Sequence, residues 1–103
     1  MKLAPILTLT SLIIAVGGCA GAPPIHDYTL ARAAILQAQK SGAASYAPGY
    51  WYKADEYYRK AKEQYAERQY DEAKGYFFKA RRYAEQAETK ARLKRSDTSE
   101  GFE

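Results

Sequence analysis

Residues 65–73 read YAERQYDEA, and the path of the chain through them decides the fold. No Gly or Pro lies between Gly49 and Gly75, which by itself favours one long helical rod. The apolar stripe argues otherwise. Upstream, Tyr50, Ala54, Tyr57, Tyr58, Ala61 and Tyr65 recur on one helical face. Downstream, Ala73, Phe77, Ala80, Ala84, Ala87 and Ala91 step by four and three, a seam suited to close helix packing. Tyr65 to Tyr70 is a step of five. At ~100° per residue, that step rotates the second face by about 100° from the first. A straight rod would aim the two faces differently, whereas a turn near residues 67–70 lets both look at one core. A helical hairpin is therefore expected.

Working outward, the fold class is all-α: a small three-helix bundle with helices over about 27–40, 48–67 and 71–94. Asp27 is a good N-cap for the first helix. Leu30, Ala31, Ala34, Ile35 and Ala38 share a face of it, and Gly42 suits a left-handed cap beyond its end. Pro48 suits the first position of the second helix. In the third, Asp71 and Glu72 open the helix and Lys90, Arg92, Lys94 and Arg95 close it, both in keeping with the helix dipole. The bundle domain is expected over 27–95, with a disordered tail over 96–103. Large tyrosines on the second helix opposite alanines on the third give a core of alternating sizes.

The chain has 103 residues, 16 Lys+Arg and 12 Asp+Glu, a formal charge of +4, and a single cysteine. One cysteine excludes an intrachain disulfide. Residues 1–18 have the three-part form of a secretory signal: Met1 and Lys2, an apolar run from Leu3 to Val16, then Gly17 and Gly18. The run is shorter than the ~20 apolar residues of a membrane span. Val16-Gly17-Gly18-Cys19 resembles the lipobox of bacterial lipoproteins, with Val16 where Leu is usual. In that pattern the cysteine takes a diacylglycerol and an N-acyl chain such as palmitate, and cleavage leaves it as the new N-terminus. The competing A-x-A site, Ala20-Gly21-Ala22, would require cleavage before Pro23, a tertiary amide that makes a poor scissile bond. Residues 19–26 are then a lipidated N-terminus and a proline tether. Each buried CH₂ contributes ~0.8 kcal/mol, and two or more chains anchor stably. In Gram-negative sorting an Asp after the cysteine favours the inner membrane; Ala20 points instead to the outer membrane, facing the periplasm.

Several short stretches resemble the bacterial domain-of-unknown-function family 4398. They are LARAAI over 30–35, Gly42-Ala43, Tyr46-Ala47-Pro48, the spaced Ala54, Ala61, Ala73 and Ala80, and YAEQAE over 83–88. The resemblance covers roughly residues 28–91. It implies an envelope lipoprotein or secreted helical protein, and it brings no catalytic residues. Some family members carry a downstream peptidoglycan-binding domain, which is not found before this chain stops at Glu103. RQYDEAKGYFFKA over 68–80 is separately similar to the second helix of a tetratricopeptide repeat, although Glu85 stands where its proline would be. A single such hairpin is a shared packing solution rather than an array.

No catalytic constellation presents itself. His26 is the sole histidine and falls in the tether, so no metal site is expected. There is no glycine-rich phosphate loop, and the carboxylates alternate with Lys and Arg on helical faces. The expected protein is not an enzyme and carries no cofactor beyond the acyl groups on Cys19. Its expected role is structural or protein-interacting at the membrane surface, with Trp51, Tyr52 and Phe78 as candidate interface aromatics. The alternative is peptidoglycan or glycan binding through an aromatic and basic face, with Lys53, Arg59, Lys62 and Arg81 assisting. Partners are thus the membrane, through the anchor, and an envelope protein or peptidoglycan; nucleic acid conflicts with export.

Overall fold

A computed structural model describes residues 21–100. They form four helices: α1 Ile25–Lys40, α2 Ala43–Tyr46, α3 Pro48–Ala66 and α4 Tyr70–Glu100. The signal segment and the lipobox residues Val16, Gly17, Gly18 and Cys19 lie outside the described residues.

The hairpin is present, and its turn is built without glycine. α3 ends in a left-handed motif: the Arg68 N–H donates to the Tyr65 carbonyl at 3.1 Å, and the Gln69 N–H reaches back to the Gln64 carbonyl at 2.9 Å. This pair of bonds satisfies the orphan carbonyls at the end of α3 and requires one residue with positive φ. Arg68 takes that position at φ 60. Gln69 then precedes the first residue of α4, its carbonyl accepting from the Ala73 N–H at 2.9 Å.

α1 runs antiparallel to α3 and parallel to α4, packing chiefly on α4. The alanine seam makes this possible. Ala73, Phe77, Ala80, Ala84, Ala87 and Ala91 are all fully buried, and among the described residues Phe77 is the one large side chain wholly enclosed. The core falls into two layers. Near the α3–α4 turn, Ala31, Ala61, Ala73 and Phe77 pack with Tyr28, Tyr58, Tyr65 and Tyr76. Towards the other end, Ala38, Ala54, Ala84, Ala87 and Ala91 pack with Ile35, Trp51 and Tyr83. Alanine lets the backbones approach, and tyrosine fills the space left between them.

Four local expectations need correction. The first helix opens at Ile25 after Pro24, so Asp27 is a first-turn acid near the helix dipole rather than the N-cap, and His26 belongs to the helix rather than a tether. A one-turn helix, α2, stands between Gly42 and Ala47; it is too short for any periodic signal. Gly42 does take the left-handed conformation, at φ 78, and Pro48 does occupy the first turn of α3. The second helix ends at Ala66 and the third starts at Tyr70, each shifted by one residue from expectation. Finally, α4 continues to Glu100, so residues 96–100 are helical rather than part of a disordered tail. No helix breaker occurs there before Gly101 in the sequence, and the Thr98 hydroxyl bonds back to the Lys94 carbonyl at 2.9 Å. The basic residues 90–95 therefore sit inside the helix, not at its end. One of them ties α4 to the α1–α2 joint, since Arg95 Nη1 donates to the Ser41 carbonyl at 3.3 Å.

Candidate functional site

The α3–α4 hairpin has two aromatic faces, and α1 covers only one. On the covered face Tyr28 of α1 meets Phe77 edge-on at 5.2 Å and lies 5.9 Å from Tyr65 and 6.3 Å from Tyr58. Burial there, together with the neighbouring Tyr28 phenol, pushes the Tyr58 hydroxyl pKa up to about 12. That face is core.

The open face is different. Tyr57 stacks on Tyr83 at 5.6 Å with the planes 11° apart, and on Tyr76 at 6.1 Å and 25°. Tyr76 and Tyr83 are two turns apart on α4, about 10 Å by the rise of a helix, so Tyr57 lies between them. The three rings turn their faces to one another. Ammonium groups cover much of what remains. Lys79 Nζ is 5.4 Å from the Tyr57 ring centre and 5.8 Å from that of Tyr76, and Lys53 Nζ is 5.5 Å from Tyr83. Further along, Lys90 Nζ sits 5.3 Å from Tyr50. Each contact is of cation–π type. What faces water is therefore a row of ring edges, phenol hydroxyls and ammonium groups.

Three adjoining depressions follow this row, sharing Tyr50, Arg82, Tyr83, Gln86 and Lys90 between them. Lys53, Lys79 and Lys94 also line them. Among the described residues the one carboxylate in their walls is Glu85, already bonded to Arg81 at 2.9 Å. No described carboxylate is within ion-pair reach of Lys53, Lys79, Arg82, Lys90 or Lys94. Some other cations pair along their own helices: Arg59 with Asp55 at 3.0 Å, Arg92 with Glu88 at 2.7 Å, and Lys60, whose ammonium also lies 5.8 Å from the Tyr57 ring centre, with Glu56 at 3.2 Å. The hydrogen bond from Lys60 to Glu56 also raises the Lys60 pKa.

The three candidate aromatics do not converge. Trp51 is half-buried and packs on the distal alanine layer. Tyr52, 67% exposed, lies near the start of α3, at the level of that layer. Phe78, 54% exposed, lies beside the other layer, with the Arg82 guanidinium 5.9 Å from its ring. Of the four candidate basic helpers, only Lys53 belongs to the open face; Lys62 lies over Tyr58, 4.7 Å from its ring. The sequence reading missed Tyr57, Tyr76, Tyr83, Lys79 and Lys90 as a group. The signal is present as interleaved Tyr and Lys at helical spacing, Tyr50-Lys53-Tyr57-Lys60 on α3 and Tyr76-Lys79-Tyr83 with Lys90 on α4.

Among the described residues there is no cluster of three or more His, Cys, Asp or Glu placed to hold a metal, and no helix long and apolar enough to cross a membrane. The fold and this face define a small antiparallel helical module that presents a cationic, tyrosine-floored groove. A family model described as Domain of unknown function (DUF4398) matches residues 26–100, and the chain belongs to that family. No curated protein and no solved structure matches it.

Proposed function

We propose that the chain is a non-catalytic binding module of the bacterial envelope, lipidated at Cys19 and held at the outer membrane, facing the periplasm. It carries no cofactor besides its acyl chains, and it engages its partner through the open face of α3 and α4. One observation carries this reading. Five cations without carboxylate partners line the tyrosine row on the side of the hairpin that α1 leaves open, and the one described carboxylate in the walls there is already bonded to Arg81. Uncompensated charge of one sign raises the local concentration of oppositely charged partners.

A second reading has its own observation. Among the described residues Tyr52 and Phe78 are the most exposed aromatics, and exposed aromatics anchor protein interfaces. Photo-crosslinking in living cells separates the two. A photoreactive residue is placed at position 50 or 86 on the open face, or at position 52 or 78. Adducts from 50 and 86 support the open face. Adducts from 52 and 78 alone would transfer the role to those aromatics.

A further inference from the structure

We infer that the occupant of the α3–α4 groove is an acidic polysaccharide strand, lying along the tyrosine row and held by Lys53, Lys79, Arg82, Lys90 and Lys94. This rests on the open-face reading above and names its partner.

The sign of the partner follows from charge. The cations line both banks of the groove, and its one carboxylate is already bonded to Arg81. From Lys79 to Lys94 the α4 bank spans about 22 Å along the helix axis, so the partner carries several anionic groups in line. Three other polyanions fit less well. A docked helix needs small residues to come close, and α1 obtains them from the alanine seam on the other face. Here tyrosines and lysines stand in the groove instead. An extended acidic peptide must keep its backbone N–H and C=O groups bonded when it leaves water. The walls are helices whose backbone groups already bond internally, and they provide no sheet edge for it to join. A single-stranded nucleic acid requires free aromatic faces for its bases, but Tyr57 stacks between Tyr76 and Tyr83 and the ammonium groups of Lys53 and Lys79 lie over the rings.

A polysaccharide has none of these needs. Its hydroxyls and carboxylates accept directly from lysine ammonium and tyrosine hydroxyl groups. The placement also suits a partner away from the bilayer. Gly21 and Ala22 line a depression with Arg68, Gln69 and Tyr70, so the chain reaches the bundle at the α3–α4 turn, while the groove runs towards Lys94 at the other end. A module anchored at its N-terminus holds this groove pointing away from the membrane.

The test titrates the full-length chain, purified in non-ionic detergent, with three probes: polygalacturonate, neutral dextran, and poly-L-glutamate of matched charge. The same titrations are run on Lys53→Gln/Lys79→Gln/Lys90→Gln and on Lys40→Gln/Lys74→Gln/Arg68→Gln, which loses equal charge from other faces. Circular dichroism checks that both remain helical. Binding of polygalacturonate over both other probes, weakened about tenfold or more in the groove variant but not in the control variant, is expected. Equal binding of polygalacturonate and polyglutamate, equal loss in both variants, or no binding of polygalacturonate overturns the assignment. Crosslinks from position 50 together with failure of the polysaccharide arm would reject this partner while leaving the open-face reading standing.

Discussion

Tyr57 and Tyr83 stack across the hairpin with ring centres 5.6 Å apart and planes 11° from parallel, which joins α3 to α4 on the side that α1 does not reach. The pair does two things. It closes the hairpin where no third helix helps, and it forms the floor of the cationic groove. Tyr57→Ala is expected to cost about 2 kcal/mol, since it removes a half-buried ring and two stacking contacts. A double-mutant cycle with Tyr83→Ala is expected to return a coupling of about 1 kcal/mol. Urea denaturation followed by circular dichroism measures both.

The alanine seam sets the helix spacing. Ala84 is fully buried between helices, so Ala84→Leu forces a branched side chain into occupied space. The expected loss is about 1–3 kcal/mol. Ala33→Leu, on the exposed side of α1, is expected to stay within about 0.5 kcal/mol of the parent. Thermal melts of the two variants compare them directly.

Arg68 and Gly42, each beside a helix end, take left-handed backbone conformations, and their substitutions are expected to act with opposite sign. Arg68 holds φ 60 without being glycine, and Arg68→Gly is expected to stabilise by about 1 kcal/mol by removing the clash of its Cβ. Gly42 holds φ 78, and an added Cβ would lie 3.2 Å from Tyr46 Cδ2. Gly42→Ala is therefore expected to destabilise by about 1–2 kcal/mol. An increase in Tm for both variants would contradict the turn geometry.

Alkaline stability follows from Tyr58. Its phenol is raised from 10.0 to about 12, first by burial and then by Tyr28, so the fold favours the neutral form. A raised pKa contributes stability that is present in full below the unfolded value and is lost as pH climbs through the folded one. The loss is expected between about pH 10 and 12, with Tyr58→Phe unfolding at higher pH than the parent. Tyr52→Phe, at an exposed site, is the control and is expected to behave as the parent does. Far-UV circular dichroism across the alkaline range reads the shift.

The anchor has its own measurement. Labelling cells with a fatty-acid analogue is expected to mark the parent chain and not Cys19→Ser. Label that persists in Cys19→Ser would remove the lipoprotein reading and leave the helical module unanchored.

Much of the fold was legible because it rests on phase. The five-residue step from Tyr65 to Tyr70 placed the turn, although no glycine marks it, and Arg68 supplies the left-handed residue that glycine usually provides. Pro48 and Gly42 also behave as their backbone preferences dictate. The open tyrosine and lysine face was less legible, for a geometric reason. A single stripe grouped Tyr50, Tyr57, Tyr58 and Tyr65, yet adjacent residues differ by about 100° on a helix. Tyr58 and Tyr65 turn to α1, and Tyr57 turns to the groove beside Tyr50 and Lys53. Only the position of α1 distinguishes these two sides. The end of α4 lies beyond the expected boundary because the polar stretch SDTSE over 96–100 contains no helix breaker, and polarity alone does not stop a helix.

On the proposed reading, the open face of α3 and α4 is occupied in the envelope. Amine-reactive footprinting with mass spectrometry tests it most directly, comparing intact envelopes with the purified chain. Protection of Lys53, Lys79 and Lys90 in envelopes, with Lys40 and Lys74 labelled equally in both, is the expected result. Equal labelling of all five lysines in the two preparations would contradict it.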